Sequence, residues 1–229
     1  MSDYSSVYII IPVYNEASML RDVILSLQMH SFFQIVIVDD GSTEDVFYGI
    51  SDLPHYYLRH RSNLGQGAAL QTGFDYVKRF NPEIVITFDA DGQHDVNDLE
   101  LLLGPIRRRE ADITLGSRFL TRDQQAPPAV RKWILKLARL INGILTGIWL
   151  SDAHNGLRAM NRKALDTILL RENRMAHASE LLYHIRKNKL RYQEIPVNIR
   201  YTTYSRKKGQ TSTDSIKILF DLVLHKFFR

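Results

Sequence analysis

Short apolar runs alternate with longer amphipathic stretches through the first half of this chain. Val7–Ile11, Ile35–Val38, Ile84–Phe88 and Ile113–Leu115 are rich in β-branched residues and predict buried strands, with Tyr56–Arg59 as a further short one. Between them, Ala17–Met29 sets Leu20, Ile24 and Leu27 on one helical face. Gly65–Phe80 and Asp95–Arg109 read as two more helices. This rhythm predicts an α/β fold, a mainly parallel sheet covered by helices, in which ligands collect beyond the carboxyl ends of the strands.

The pattern changes after Arg118. Thr121–Pro128 is a polar connector, Val130–Leu145 a helix, and Ser151–Gly156 a loop. Helices are expected over Asn161–Leu170 and Ser179–Asn188, then a strand over Tyr192–Arg200 that carries Pro196, then a basic loop over Tyr201–Ser212. The last stretch, Thr213–Arg229, is an amphipathic helix too short and too charged to span a bilayer. It fits either a membrane interface, with Lys217, Lys226 and Arg229 near headgroups, or a docked position on the domain or a partner. There is no repeat or linker, so one domain is expected over residues 1–212, with halves 1–118 and 119–212, followed by the helix 213–229.

A chain of 229 residues is long enough for a substantial core. Its net charge of +5 gathers in clusters such as Arg107-Arg108-Arg109 and Arg206-Lys207-Lys208. No nucleic-acid-binding signature accompanies them, so solvated surface, anionic lipid or a phosphorylated substrate are the partners considered. The lack of cysteine excludes disulfides and thiolate metal sites. A polar start running straight into a strand leads us to expect no secretory leader and a cytoplasmic location.

Polar clusters stand at the strand ends. Asp89-Ala90-Asp91-Gly92-Gln93-His94 puts two carboxylates one residue apart, and like charges so close repel unless something positive lies between them. The hexapeptide is compatible with a Mg²⁺ or Mn²⁺ site or with a solvated turn. Pro12-Val13-Tyr14-Asn15-Glu16 offers a flat ring and acceptors beside it, or a strand-to-helix turn capped by Asn15. Asp39-Asp40-Gly41-Ser42 suits ribose hydroxyls or a base edge, or is an ordinary turn. Asn63-Leu64-Gly65-Gln66-Gly67-Ala68 looks like a phosphate loop but lacks the P-loop lysine and the Rossmann spacing.

In this order and at these strand ends, the clusters together resemble the family 2 glycosyltransferases of the GT-A fold. The similarity is greatest to the branch of dolichol-phosphate mannose synthases and polyprenyl-phosphate glycosyltransferases, and it runs from Val7 to about Ser212. It implies a UDP- or GDP-sugar donor bound by the half 1–118, an acceptor bound by the half 119–212, and Mg²⁺ or Mn²⁺. By the same resemblance Pro12, Tyr14, Glu16 and Asp39 would hold the nucleotide, with Gly67 in the glycine loop. Asp89, Ala90, Asp91 and Gln93 would meet the metal and diphosphate, with Asp91 the direct ligand, Asp89 touching the ribose or the metal and Gln93 completing the shell.

The acceptor is read from the later motifs. The processive synthases' Gln-x-x-Arg-Trp is absent, since Gln125 and Arg131-Lys132-Trp133 are wrongly spaced. A phosphate acceptor is anionic at neutral pH and needs positioning, which arginine supplies, and no base. Arg118 and Arg131 match the positions that the lipid-phosphate branch uses for this. Asp152-Ala153-His154-Asn155-Gly156-Leu157-Arg158 stands where the branch has Asp-x-x-Ser-Gly-Phe-Arg, with Asn155 for serine and Leu157 for phenylalanine. Asp152 would contact the sugar or act as base, and His154 is a further candidate. Arg206 would close over the diphosphate, with Lys207 or Lys208 replacing a lysine that is Ser212 here. The expected activity is inverting transfer to a polyprenyl phosphate at the cytoplasmic face of a membrane, reached through residues 213–229 or a membrane partner. A transferase acting on a glycan hydroxyl, with Asp152 or Glu180 as base, is the alternative, and a non-catalytic sugar-nucleotide-binding subunit is the alternative of another class.

Overall fold

The computed structural model describes residues 6–30, 33–120, 143, 147–153, 155–174 and 176–200. The expected helix over 130–145 apart from Gly143, the helix over 213–229, the connector 121–128, the loop 201–212 and the candidates Arg131, His154, Arg206, Lys207 and Lys208 lie outside the described residues. Seven strands form one sheet in the order β3-β2-β1-β4-β6-β5-β7. They are β1 (Val7–Val13), β2 (Gln34–Asp39), β3 (Tyr56–Arg59), β4 (Ile84–Thr87), β5 (Ile113–Ser117), β6 (Arg158–Asn161) and β7 (Tyr192–Pro196). The helices are α1 (Ala17–His30), α2 (Gln66–Lys78), α3 (Leu99–Arg107), α4 (Arg162–Thr167) and α5 (His177–Lys187).

β1 is buried along its whole length, as befits a central strand covered on both faces. Its alternate side chains divide between two cores. Val7, Ile9, Ile11 and Val13 pack with Leu20, Ile24 and Leu27 of α1 and Leu99, Leu102 and Leu103 of α3. Tyr8 and Ile10 pack with Leu70, Phe74 and Val77 of α2, with Leu165 of α4 and with Leu182 and Ile185 of α5.

The expected mainly parallel sheet is present, with β6 alone running against its neighbours β4 and β5. Sequence reading placed no strand there, because Arg158-Ala159-Met160-Asn161 shows no alternation and runs directly into a helix. Asn161 serves both elements: it ends β6 and caps α4 by accepting the Ala164 N–H at 2.9 Å. The reversal has a consequence for the site. β6 pairs Arg158 with Thr87 and with Leu115, so its amino end lies beside the carboxyl ends of β4 and β5. The loop 151–157 is thereby delivered to the edge where Asp89 and Arg118 leave the sheet.

Candidate active site

The loops after β1 and β2 are tied to each other. Asn15 adopts φ 54° and accepts from the Thr43 N–H at 2.9 Å, while its own N–H donates to Ser42 Oγ at 3.0 Å. It therefore joins two loops, and Glu44 approaches the first N–H of α1 instead, at 3.2 Å from Ala17 N. Pro12 is buried in β1, whereas Tyr14 stands 42% exposed beside the half-buried Glu16. Asp39 is fully buried at the end of β2. It accepts from the Ser42 N–H at 2.8 Å and the Tyr57 hydroxyl at 2.7 Å, with Arg59 Nε at 3.3 Å. Burial and then the bond to Asp39 push the Tyr57 phenol well above its usual range, so it stays a donor.

Asp40 and the glycine loop form one unit. Asp40 accepts from the N–H groups of Leu64 and Gly65 at 2.9 and 2.7 Å and contacts His60 Nδ1 at 2.7 Å. Gly65 has φ 105°, and the N–H groups of Gly67 and Ala68 point at the Asn173 carbonyl, 2.8 and 3.3 Å away. A Cβ at Gly67 would collide with the Glu172 carbonyl. These donors serve the protein's own acceptors. The loop's contribution to the acidic edge is Gln66, whose Nε2 donates to Asp89 Oδ1 at 3.1 Å.

Asp89 is held on both oxygens, since His94 Nε2 lies 2.9 Å from Oδ2. Gly156 presses against the same carboxylate, and a Cβ there would overlap both oxygens. Burial opposes ionisation of Asp89, yet the His94 hydrogen bond and the charges of His94 and Arg158 win, and its carboxyl lies below the usual range. Asp91 differs. Burial and then the charge of Asp89 push its carboxyl up, against hydrogen bonds from the backbone and side chain of Gln93. Two half-buried carboxylates two positions apart are hard oxygen donors of the kind that suit Mg²⁺ or Mn²⁺. Among the described residues no cluster of three or more acidic or histidine side chains forms a complete cage. Such an incomplete set fits Mg²⁺, which is commonly held by one or two carboxylates together with substrate phosphates.

On the other side of the edge, Arg118 and Asp152 form a forked pair. Arg118 Nε and Nη2 lie 2.6 and 3.1 Å from the Asp152 oxygens, and the Arg118 N–H donates to Oδ2 at 3.2 Å. Asp152 is buried with 3% of its side chain exposed, against 26% for Arg118. Arg158, itself buried, sets its charge toward both Asp89 and Asp152. Glu180 lies on α5, where it accepts the N–H groups of Arg171 and Glu172 at 2.8 and 2.9 Å. The structure thus gathers Gln66, Asp89, Asp91, Gln93, Arg118 and Asp152 at one edge of the sheet. The parts played by Asp40, Gln66, His94 and Arg158 were missed by sequence reading. All four stand inside motifs quoted from the sequence, which gave no sign of their individual partners.

The profile of "Glycosyl transferase family 2" matches residues 8–169. The UDP-N-acetylglucosamine–dolichyl-phosphate N-acetylglucosaminyltransferase of Methanococcus voltae is 31% identical, over 96% of this chain and 96% of its own. The polyprenol monophosphomannose synthase of Mycolicibacterium smegmatis is 32% identical, over 70% of this chain and 63% of its own. Among solved structures, glucosyl-3-phosphoglycerate synthase from Mycobacterium tuberculosis, crystallised with Mn²⁺ and UDP, superposes with a TM-score of 0.65 at 16% identity, over 94% of this chain and 79% of its own. The expected GT-A architecture is therefore present. With its acidic strand ends, its sheet order and a profile match across most of its length, the chain belongs to glycosyl transferase family 2.

Proposed function

We propose that this glycosyltransferase moves a sugar from a UDP- or GDP-sugar to a polyprenyl phosphate by one displacement, with inversion at the anomeric carbon. The observation that carries the acceptor is the Arg118–Asp152 pair. A hydroxyl acceptor needs a carboxylate base, and both oxygens of Asp152 already accept from a forked arginine. Glu180, the other candidate base, is spent on backbone N–H groups. A phosphate acceptor needs neither: its oxygen is already charged and needs only to be aimed, which an arginine at the strand end does. The relatives named for dolichyl phosphate and polyprenol support the same reading.

In this reading the base and ribose of the donor lie along Pro12, Tyr14, Glu16 and Asp39, and the diphosphate lies over Asp89 and Asp91. Asp91 is taken as the metal ligand: both of its oxygens are held only by its near neighbour Gln93, whereas Asp89 is tied to Gln66 and His94 and pressed by Gly156. A divalent ion there neutralises charge that builds on the departing nucleoside diphosphate. Arg118 holds the acceptor phosphate with one oxygen facing the anomeric carbon. No described helix is long and apolar enough to cross a membrane. The lipid would be met from a peripheral position, for which the amphipathic sequence 213–229 is suited.

Arg118→Ala tests the reading. Transfer to polyprenyl phosphate is expected to fall by roughly a hundredfold or more, as expected when a reacting group is misplaced, while UDP or GDP affinity stays within about twofold of wild type by calorimetry. Unchanged turnover would remove Arg118 from the acceptor site.

A further inference from the structure

The pair that orients the acceptor is itself held from a distance, by a residue on the far strand. Glu194 belongs to β7, an edge strand whose register sets it opposite Leu115 of β5. Its Oε1 accepts three donors: the Ser151 N–H at 2.7 Å, the Ser151 hydroxyl at 2.6 Å and the Asp152 N–H at 3.2 Å. The Ser151 hydroxyl also meets Ser117 Oγ at 2.5 Å, and Ser117 Oγ accepts the Phe119 N–H at 3.2 Å, so the turns on both sides of Arg118 share one network. Asp152 then spends its carboxylate on Arg118. The order is Glu194 to the Ser151-Asp152 turn, Asp152 to Arg118.

We infer that Glu194 is a positioning residue for the acceptor subsite: it fixes the Ser151-Asp152 turn so that Asp152 aims the Arg118 guanidinium at the acceptor phosphate. A carboxylate gathering three donors is a strong, directional anchor. Glutamate is also a poor choice for a strand unless its charge has a task. One such task is protection of a sheet edge, in which case the carboxylate would face water. Here it is half-buried and turned to the Ser151-Asp152 turn. The donor's contacts, at Asp39, Asp89 and Asp91, share no hydrogen bond with this network. Loss of Glu194 should therefore be felt by the acceptor and not by the nucleotide.

The inference rests on the proposed lipid-phosphate acceptor, and the test separates the two. Wild type, Glu194→Ala, Glu194→Gln and Ser151→Ala are assayed with Mn²⁺, undecaprenyl phosphate and whichever of radiolabelled UDP-N-acetylglucosamine or GDP-mannose wild type uses. Glu194→Ala is expected to raise KM for the lipid phosphate by roughly ten- to a hundredfold, the scale of a misplaced positioning group. Its kcat and its affinity for the nucleoside diphosphate should stay within about twofold. Glu194→Gln keeps an acceptor oxygen and recovers most of the wild-type KM; Ser151→Ala falls between. If wild type labels no lipid phosphate with either donor, the acceptor reading is overturned. If wild type does so and Glu194→Ala keeps its KM, or if kcat, donor affinity and KM all worsen together, the positioning role is overturned. Should Glu194→Ala not fold, Glu194→Gln and Ser151→Ala decide: both keeping the wild-type KM overturns it.

Discussion

At the scale of single residues, the acidic edge shows how one short motif is divided into unlike parts. Asp89 and Asp91 are two positions apart, yet one is pinned by Gln66 and His94 and the other is raised by burial and then by its neighbour's charge. Asp91→Asn keeps the shape and removes the charge. We expect it to forfeit several kcal/mol of stabilisation at the leaving diphosphate, about a thousandfold in transfer rate; Mn²⁺ titration should show weakened binding alongside. A variant with wild-type turnover would reassign the ligand. The Asp-Ala-Asp-Gly-Gln motif and Arg118 could be placed from the sequence because each follows an apolar strand run directly. Asp40, Gln66 and Glu194 were not legible, since each acts through a partner distant in sequence that only the fold brings near.

Among the elements, β6 does most to assemble the edge, and it was the one least visible beforehand. Four residues without alternation give no period to detect, and Asn161 hides the strand's end in a helix cap. β1, β2, β4 and β5 were visible from their β-branched runs, and α1 from its apolar spacing. β7 was also foreseen, though it ends at Pro196; the chain beyond it crosses to the acidic edge through the Ile199–His94 bridge. Gly156→Ala tests the delivery of the loop before β6. Its methyl group would meet the Asp89 carboxylate, so donor binding in Mn²⁺ is expected to weaken by about tenfold or more, the range for groups that orient metal ligands. Far-ultraviolet circular dichroism should be unchanged. Unaltered donor affinity would show that Gly156 and Asp89 do not press on each other. At the opposite end of β5, Asp112 binds Arg191 at 2.9 Å and Lys163 at 3.1 Å. The Arg191 hydrogen bond, chiefly, holds its carboxyl well below the usual range. Its contribution is complete above the unfolded carboxylate pKa of about 3.9 and is lost as pH falls toward the lower folded value. Asp112→Asn should cost about 1–3 kcal/mol near neutrality, the scale of a charge-assisted hydrogen bond. The penalty should shrink in acid, as urea melts at descending pH would record; a constant penalty would contradict the pairing.

The described strands form one sheet with the proposed site along one edge: the proposed nucleotide contacts on one side, the arginine–carboxylate pair on the other and the two aspartates between. The family and its GT-A architecture follow from the order of the strand-end clusters, which no single cluster established. The acceptor was harder to read, because Asp152 in the sequence could contact the sugar or act as a base; the proposed reading rests on its pairing with Arg118. The central claim is that a phosphate, needing no base, receives the sugar. The most direct measurement gives the full chain Mn²⁺ and radiolabelled UDP-N-acetylglucosamine or GDP-mannose, and offers it undecaprenyl phosphate beside undecaprenol, the same lipid without the phosphate. The account predicts a labelled glycosyl-phosphoryl lipid, release of one nucleoside diphosphate for each sugar transferred, and no product from the alcohol. Label on the alcohol, or on a glycan hydroxyl with none on the lipid phosphate, would contradict it.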